Sequence, residues 1–167
     1  TVVPGVNHQK LKKEHKIRSV LVLGAGATSH NICAALVKNG LKEIFLTNKT
    51  FAKVNEFEIK YRIIPVEWIL AAACPADLLI NTTSAELKEK SFCFSEDVYS
   101  NKKFVWDVIN ADTNLIKGAR GKKIDCINGS SMAIWQALRQ FELYTDTIFK
   151  NIQKEYDYID RFLNGQI

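Results

Sequence analysis

Gly24-Ala25-Gly26-Ala27-Thr28-Ser29 stands between a continuous apolar run, Ser19–Leu23, and a stretch of helical periodicity over 29–39. The spacing G-x-G-x-x-S has a chemical use. Gly24 permits a tight turn, and Gly26 lets the backbone approach a pyrophosphate closely. The small third position, Ser29, lets helix and strand pack together. The first N–H groups of the helix and its partial positive charge then face the anion. Residues 24–28 (Gly24, Ala25, Gly26, Ala27 and Thr28) are therefore candidates for a phosphate cradle. The placement between strand and helix gives the pattern more weight than two glycines alone.

A second candidate group follows the next strand: Thr47-Asn48-Lys49-Thr50-Phe51-Ala52-Lys53. In NAD-binding folds a carboxylate here accepts the ribose 2′-hydroxyl. This stretch has none. Lys49 and Lys53 lie a helical turn apart beside the small polar Asn48 and Thr50. A cationic, acid-free loop suits a 2′-phosphate, so the expected cofactor is NADP (NADPH) rather than NAD. The missing acid also disfavours a methyltransferase. The competing reading makes both lysines ordinary surface charges.

These residues need a scaffold that brings the ends of several strands together. Apolar β-rich runs alternate with helical patterns. Strands are expected at Ser19–Leu23, Glu43–Thr47, 61–64, 77–81, 104–109 and 123–127. Helices are expected at 29–39, 50–57, 65–73, 130–144 and 147–163, with Pro65 in the first turn of the third. Gly40 suits a helix stop. Such alternation predicts an α/β fold, a Rossmann-like doubly wound parallel sheet of about six strands with helices on both faces. Ligands bind such sheets at the carboxyl ends of the strands. The stripe Ile148, Phe149, Ile152, Tyr156, Ile159 and Phe162 on the last helix is read as core.

Composition narrows the class further. The chain has 167 residues, 47% hydrophobic and 25% charged, as expected for one globular domain. No apolar run approaches a membrane span, so no membrane partner is expected. The formal charge of +5 is concentrated in a basic arm, 1–18, ahead of a domain at 19–167. The arm lacks the aromatic interleaving of single-strand binders, and no nucleic-acid partner is expected. Cys33, Cys74, Cys93 and Cys126 have neither metal-ligand nor disulfide-framework spacing. Three of them, Cys33, Cys74 and Cys126, are expected in the core, and a reducing, cytoplasmic compartment follows. No metal site is expected.

The sequence resembles the C-terminal, NADP-binding domain of the shikimate dehydrogenase family. VLVLGAGATSHN is similar to V-L-V-L-G-A-G-G-A-x-R-A, NKTFAK to N-R-T-x-x-K, and DLLINTTSAEL to D-L-V-I-N-A-T-S-x-G-M. GSSMAIWQALRQFELYTD resembles G-x-x-M-L-x-x-Q-A-x-x-x-F-x-L-W-T-G through Gly129, Met132, Gln136, Ala137, Phe141, Leu143 and Thr145. This last pattern is foreign to generic dinucleotide folds and argues against a glutamyl-tRNA reductase-like domain. The resemblance implies NADPH-dependent reduction of 3-dehydroshikimate to shikimate, on the route to aromatic amino acids. It implies that residues 24–28 and Thr83 contact the cofactor, and that 48–53 hold its 2′-phosphate. Val108 and Gly129 would lie by the nicotinamide through their backbones, with Met132 near the ring. Gln136 would reach a substrate hydroxyl.

The departures concern the substrate more than the cofactor. Ala27 replaces a loop glycine, His30 an arginine and Glu86 a glycine. Lys49 stands where Arg is usual, and Asn110 where a substrate-contacting Tyr stands. The family carries a substrate lobe of about a hundred residues before the first strand, a usual domain size. That lobe holds a catalytic Lys–Asp pair. Only eighteen residues precede the first strand here, so the catalytic residues stay unassigned. The isolated chain is expected to be inactive, its substrate lobe being absent from the chain or supplied by a partner. The alternative is a catalytically inactive NADP(H)-binding or scaffold module of the same descent.

Overall fold

β-Branched and leucine-rich runs make the centre of the molecule. In this computed structural model, which describes residues 15–84 and 95–166, six parallel strands form one sheet in the order β3-β2-β1-β4-β5-β6. The strands are β1 (Ser19–Leu23), β2 (Glu43–Thr47), β3 (Ile64–Pro65), β4 (Leu78–Asn81), β5 (Phe104–Asp107) and β6 (Asp125–Ile127). Residues 1–14 of the basic arm, Glu86 and Cys93 lie outside the described residues. The helices are α1 (Ala27–Lys38), α2 (Asn55–Tyr61), α3 (Asn114–Gly121), α4 (Ser130–Thr145) and α5 (Ile152–Leu163). Short 3-10 turns occupy Phe51–Val54, Trp68–Ala73 and Glu96–Tyr99.

β1 is buried along its whole length, which is why it reads as an uninterrupted apolar run rather than an alternating one. Its side chains serve two cores. Val20 and Val22 face Ile32, Cys33, Leu36, Phe57 and Trp106, under α1 and α2. Leu21 and Leu23 face Leu79, Val105, Leu115, Ile116 and Ala119, over α3. Each fully buried leucine contributes about 1.5–3 kcal/mol. Burial pushes the Cys33 thiol up to about 12, so it behaves as a small hydrophobe. Ile17 is also buried in the first core. At the amino edge of the sheet, the backbone N–H of Arg18 donates to Asp77 Oδ2 at 2.7 Å and Lys103 pairs with Asp77 Oδ1 at 2.7 Å.

The helices cover both faces, as the alternation predicts, but several boundaries differ. The strand expected over 61–64 is Ile64–Pro65 instead. Tyr61 completes α2, and Arg62 turns left-handed at φ 54°, its N–H closing on Glu58 O at 2.9 Å. Pro65 opens no helix. It pairs with Leu46 in an edge strand, where a missing N–H is tolerated. β6 begins at Asp125 because Lys123 has φ 57°. α3 is absent from the expected elements because Gly118 and Gly121 weaken its helical signal. A Cβ at Gly118 would run into the Tyr99 ring, which packs on this helix and donates to Leu115 O at 3.1 Å.

Two core assignments are corrected. Cys126 is half-exposed rather than buried, because it sits on edge strand β6. The stripe on the last helix is not core either. No residue of α5 is fully buried, and Ile148 and Phe162 are 85% and 61% exposed. α5 packs on α4 through Trp135 stacked on Tyr156, and Phe149, just ahead of α5, stacks on Phe141.

Candidate functional site at the carboxyl edge of the sheet

Strand order reverses between β1 and β4, which opens a crevice above their carboxyl ends. The glycine turn leaves β1 at this point. Gly24 has φ +102° and donates its N–H to Thr47 O at 2.8 Å. An added Cβ there would lie 2.7 Å from Thr82 Oγ1 and 3.1 Å from Thr83 Cγ2. Gly24 is thus fixed by both conformation and space. Gly26 is the N-cap of α1, and a Cβ there would meet nothing within 4 Å. It faces open space, as a close-approach position must. The N–H groups of Ala27 and Thr28 meet no acceptor among the described residues. These are orphan donors of a helix start, suited to an anion.

Ser29 does more than stay small. Its hydroxyl is buried, donates to Gly24 O at 2.7 Å and accepts from Gly26 N at 3.2 Å. Thr82 Oγ1 lies 2.7 Å from Ser29 Oγ and 2.7 Å from Leu23 O. The two hydroxyls lock the turn to the end of β4. Sequence reasoning missed Thr82, because its partners are more than fifty residues away along the chain.

The second loop is tied to the first. Asn48 Oδ1 accepts from Ala25 N at 3.2 Å, while its Nδ2 donates to Thr50 O at 2.9 Å. Asn48 therefore spaces the two loops, its amide engaged on both sides. Lys49, Thr50 and Lys53 are exposed. Lys53 lies on the turn Phe51–Val54, and Lys49 Nζ stands 6.0 Å from the centroid of the Trp68 ring. No Asp or Glu stands between Thr47 and Val54. His30 packs flat on Phe57 at 3.9 Å between centroids, joining α1 to α2.

At the other side of the crevice Asn81 and Asp107 end β4 and β5. Asp107 is fully buried and accepts from Asn81 Nδ2 at 3.1 Å, Ile109 N at 3.0 Å and Thr113 Oγ1 at 2.8 Å. Asn81 Oδ1 in turn accepts from Thr83 N at 3.0 Å and Thr83 Oγ1 at 2.7 Å. This network holds the loop of Val108, Ile109 and Asn110. Gly129 N donates to Ile109 O at 2.8 Å. A Cβ on Gly129 would fall on the Val108 carbonyl, so the close approach requires glycine here. Val108, Met132 and Ala25, three of the expected site residues, all pack on the first core. Ser130 Oγ donates to Asn110 Oδ1 at 2.5 Å. Gln136 is exposed about two turns into α4, beyond this cluster.

The residues present fit a dinucleotide phosphate: open backbone at Gly26, N–H groups of Ala27 and Thr28 with no acceptor among the described residues, and exposed Lys49 and Lys53 in a loop that itself carries no Asp or Glu. Sheet order and glycine turn together define a doubly wound Rossmann-like domain. The family model for shikimate / quinate 5-dehydrogenase matches residues 6–96, more than half of the sequence. The chain belongs to that family. A shikimate dehydrogenase (NADP(+)) of Aquifex aeolicus is 34% identical over 137 residues, covering 81% of this chain and 51% of that protein. One from Caldanaerobacter subterraneus is 30% identical, covering 95% of this chain and 59% of the relative. The crystal structure of the Aquifex aeolicus shikimate dehydrogenase superposes with a TM-score of 0.70 at 27% identity, over 89% of this chain and 57% of that one. The chain thus spans little more than half the length of the curated relatives it matches.

Proposed function

We propose that this domain is the cofactor half of an NADP-dependent shikimate dehydrogenase, acting with a substrate lobe to reduce 3-dehydroshikimate to shikimate. The observation that carries the reading is the pairing of two loops at one strand-order switch. The glycine turn offers N–H groups with no acceptor among the described residues, and the loop after β2 carries Lys49 and Lys53 but no Asp or Glu of its own. The relatives named as NADP(+) enzymes support the same cofactor. Gly26, Ala27 and Thr28 receive the pyrophosphate, and Lys49, Thr50 and Lys53 receive the 2′-phosphate. Thr83, Val108, Gly129 and Met132 line the path to the nicotinamide end.

Bound NADPH supplies a hydride. The carbonyl oxygen must also gain a proton. Asn110 and Gln136 are amides; they can hold a substrate hydroxyl but cannot deliver that proton. The acid–base pair therefore belongs to the substrate lobe. Unpaired Cys33, Cys74 and Cys126 favour a reducing, cytoplasmic setting. Among the described residues no helix is long and apolar enough to cross a membrane.

Calorimetric titration with NADPH and NADH tests the reading. NADPH should bind the more tightly, and Lys49→Ala should remove about tenfold of that preference by deleting a charge-assisted contact. Equal binding of both cofactors, or of neither, overturns it. The chain alone should not reduce 3-dehydroshikimate. If it binds NADPH yet stays inactive after a family substrate lobe is supplied, the non-catalytic module is the better reading.

A further inference from the structure

We propose that Trp68 is a positioning residue for Lys49, and that through it the indole sets the preference for a 2′-phosphorylated cofactor. The inference rests on the NADP reading above. It starts from topology. β2 and β3 are parallel neighbours at one end of the sheet, with Phe45 opposite Ile64 and Leu46 opposite Pro65. The N–H of Val66 continues the pairing to Leu46 O at 2.9 Å. The chain leaving β2 carries Lys49 and the chain leaving β3 carries Trp68, so both arrive at the same carboxyl edge.

Lys49 Nζ stands 6.0 Å from the Trp68 ring centroid, within reach of the negative potential over an indole face. Trp68 is half-buried and opens the 3-10 turn Trp68–Ala73, whose Ala71 sits in the second core. The indole is thus partly buried on an anchored turn, while Lys49 is exposed. A lysine is a point charge on a flexible stem, without the planar fork that lets arginine hold a phosphate in two places. The ring face adds a restraint on that flexible stem. An uncharged prop of this kind matters only to a ligand carrying a group for Lys49 to meet, so its effect separates NADPH from NADH.

Dissociation constants for NADPH and NADH, measured by calorimetry on wild type, Lys49→Ala, Trp68→Ala, Trp68→Phe and the Lys49→Ala/Trp68→Ala double variant, test this. Trp68→Ala should weaken NADPH about two- to fivefold and leave NADH unchanged. Trp68→Phe, which keeps a π face, should recover most of the loss. In the Lys49→Ala background the loss of Trp68 should have no further effect. Trp68→Leu, which keeps bulk without a π face, should behave as Trp68→Ala and serves in its place if the alanine variant does not fold. Equal weakening of both cofactors, or the same NADPH loss with and without Lys49, overturns the proposal, since the ring then stacks on the ligand or props the fold. Wild-type protein that does not prefer NADPH overturns the NADP reading itself, a result distinct from a normal preference that Trp68→Ala leaves intact.

Discussion

Asp107 shows how much of this site is built from contacts distant in sequence. Its carboxylate gathers three donors, from Asn81, Ile109 and Thr113, with the side chain fully buried. Removing the acceptor strands all three in a dry interior. Asp107→Ala should therefore cost about 2–4 kcal/mol, read as a lower urea midpoint at unchanged slope. Asp107→Asn, which keeps one acceptor oxygen, should cost less. A loss below about 1 kcal/mol for the alanine variant would mean that water replaces the carboxylate. Gly24 and Gly26 were legible in the sequence because a positive φ and a bare backbone leave glycine as the natural choice. Asp107, Ser29 and Thr82 were legible only as residue types, since their roles depend on partners that the sheet brings together.

α3 makes the same point for an element. Thr113 caps it, accepting from Ile116 N at 3.3 Å while donating to Asp107 Oδ2 at 2.8 Å. One hydroxyl joins the helix start to the site network. Thr113→Ala should cost about 1–2 kcal/mol, and Thr113→Ser much less, by the same denaturation assay. Because the two side chains share a hydrogen bond, the Asp107→Ala/Thr113→Ala double variant should lose less than the sum of the singles. Strict additivity would show that cap and carboxylate act separately. Five of the six strands, and the helices following β1 and β6, stand in the sequence as strong periodic or continuous apolar runs. α3 does not, because the Tyr99 ring demands a glycine inside it. β3 is two residues long, too short for any period to show.

Stability is distributed unevenly across the whole molecule. The four central strands lie between two cores, and β1 has no exposed residue. α5 has no fully buried residue and rests on α4 through the Trp135–Tyr156 ring stack and the Tyr156–Ser131 hydroxyl bond of 2.8 Å, with a second stack, Phe141 on Phe149, just ahead of it. The apolar stripe that reads as core in the sequence is thus half-covered on one side only, a difference that periodicity cannot register. The first turn of α4 is held independently of α5, because Gly129 bonds to Ile109 and Met132 packs on the first core. Opening α5 exposes little apolar surface and leaves the cofactor side of the crevice intact. Amide hydrogen exchange should therefore find α5 opening locally, at a free energy several kcal/mol below that of β1 and β4, whose amides exchange only by global unfolding. NADPH at saturation should slow exchange in the first turn of α1 and leave α5 unchanged. Protection of α5 equal to that of β1 would mean that α4 and α5 open only together with the sheet, and that the ring stacking at Tyr156 and Phe149 is worth far more than its exposure implies.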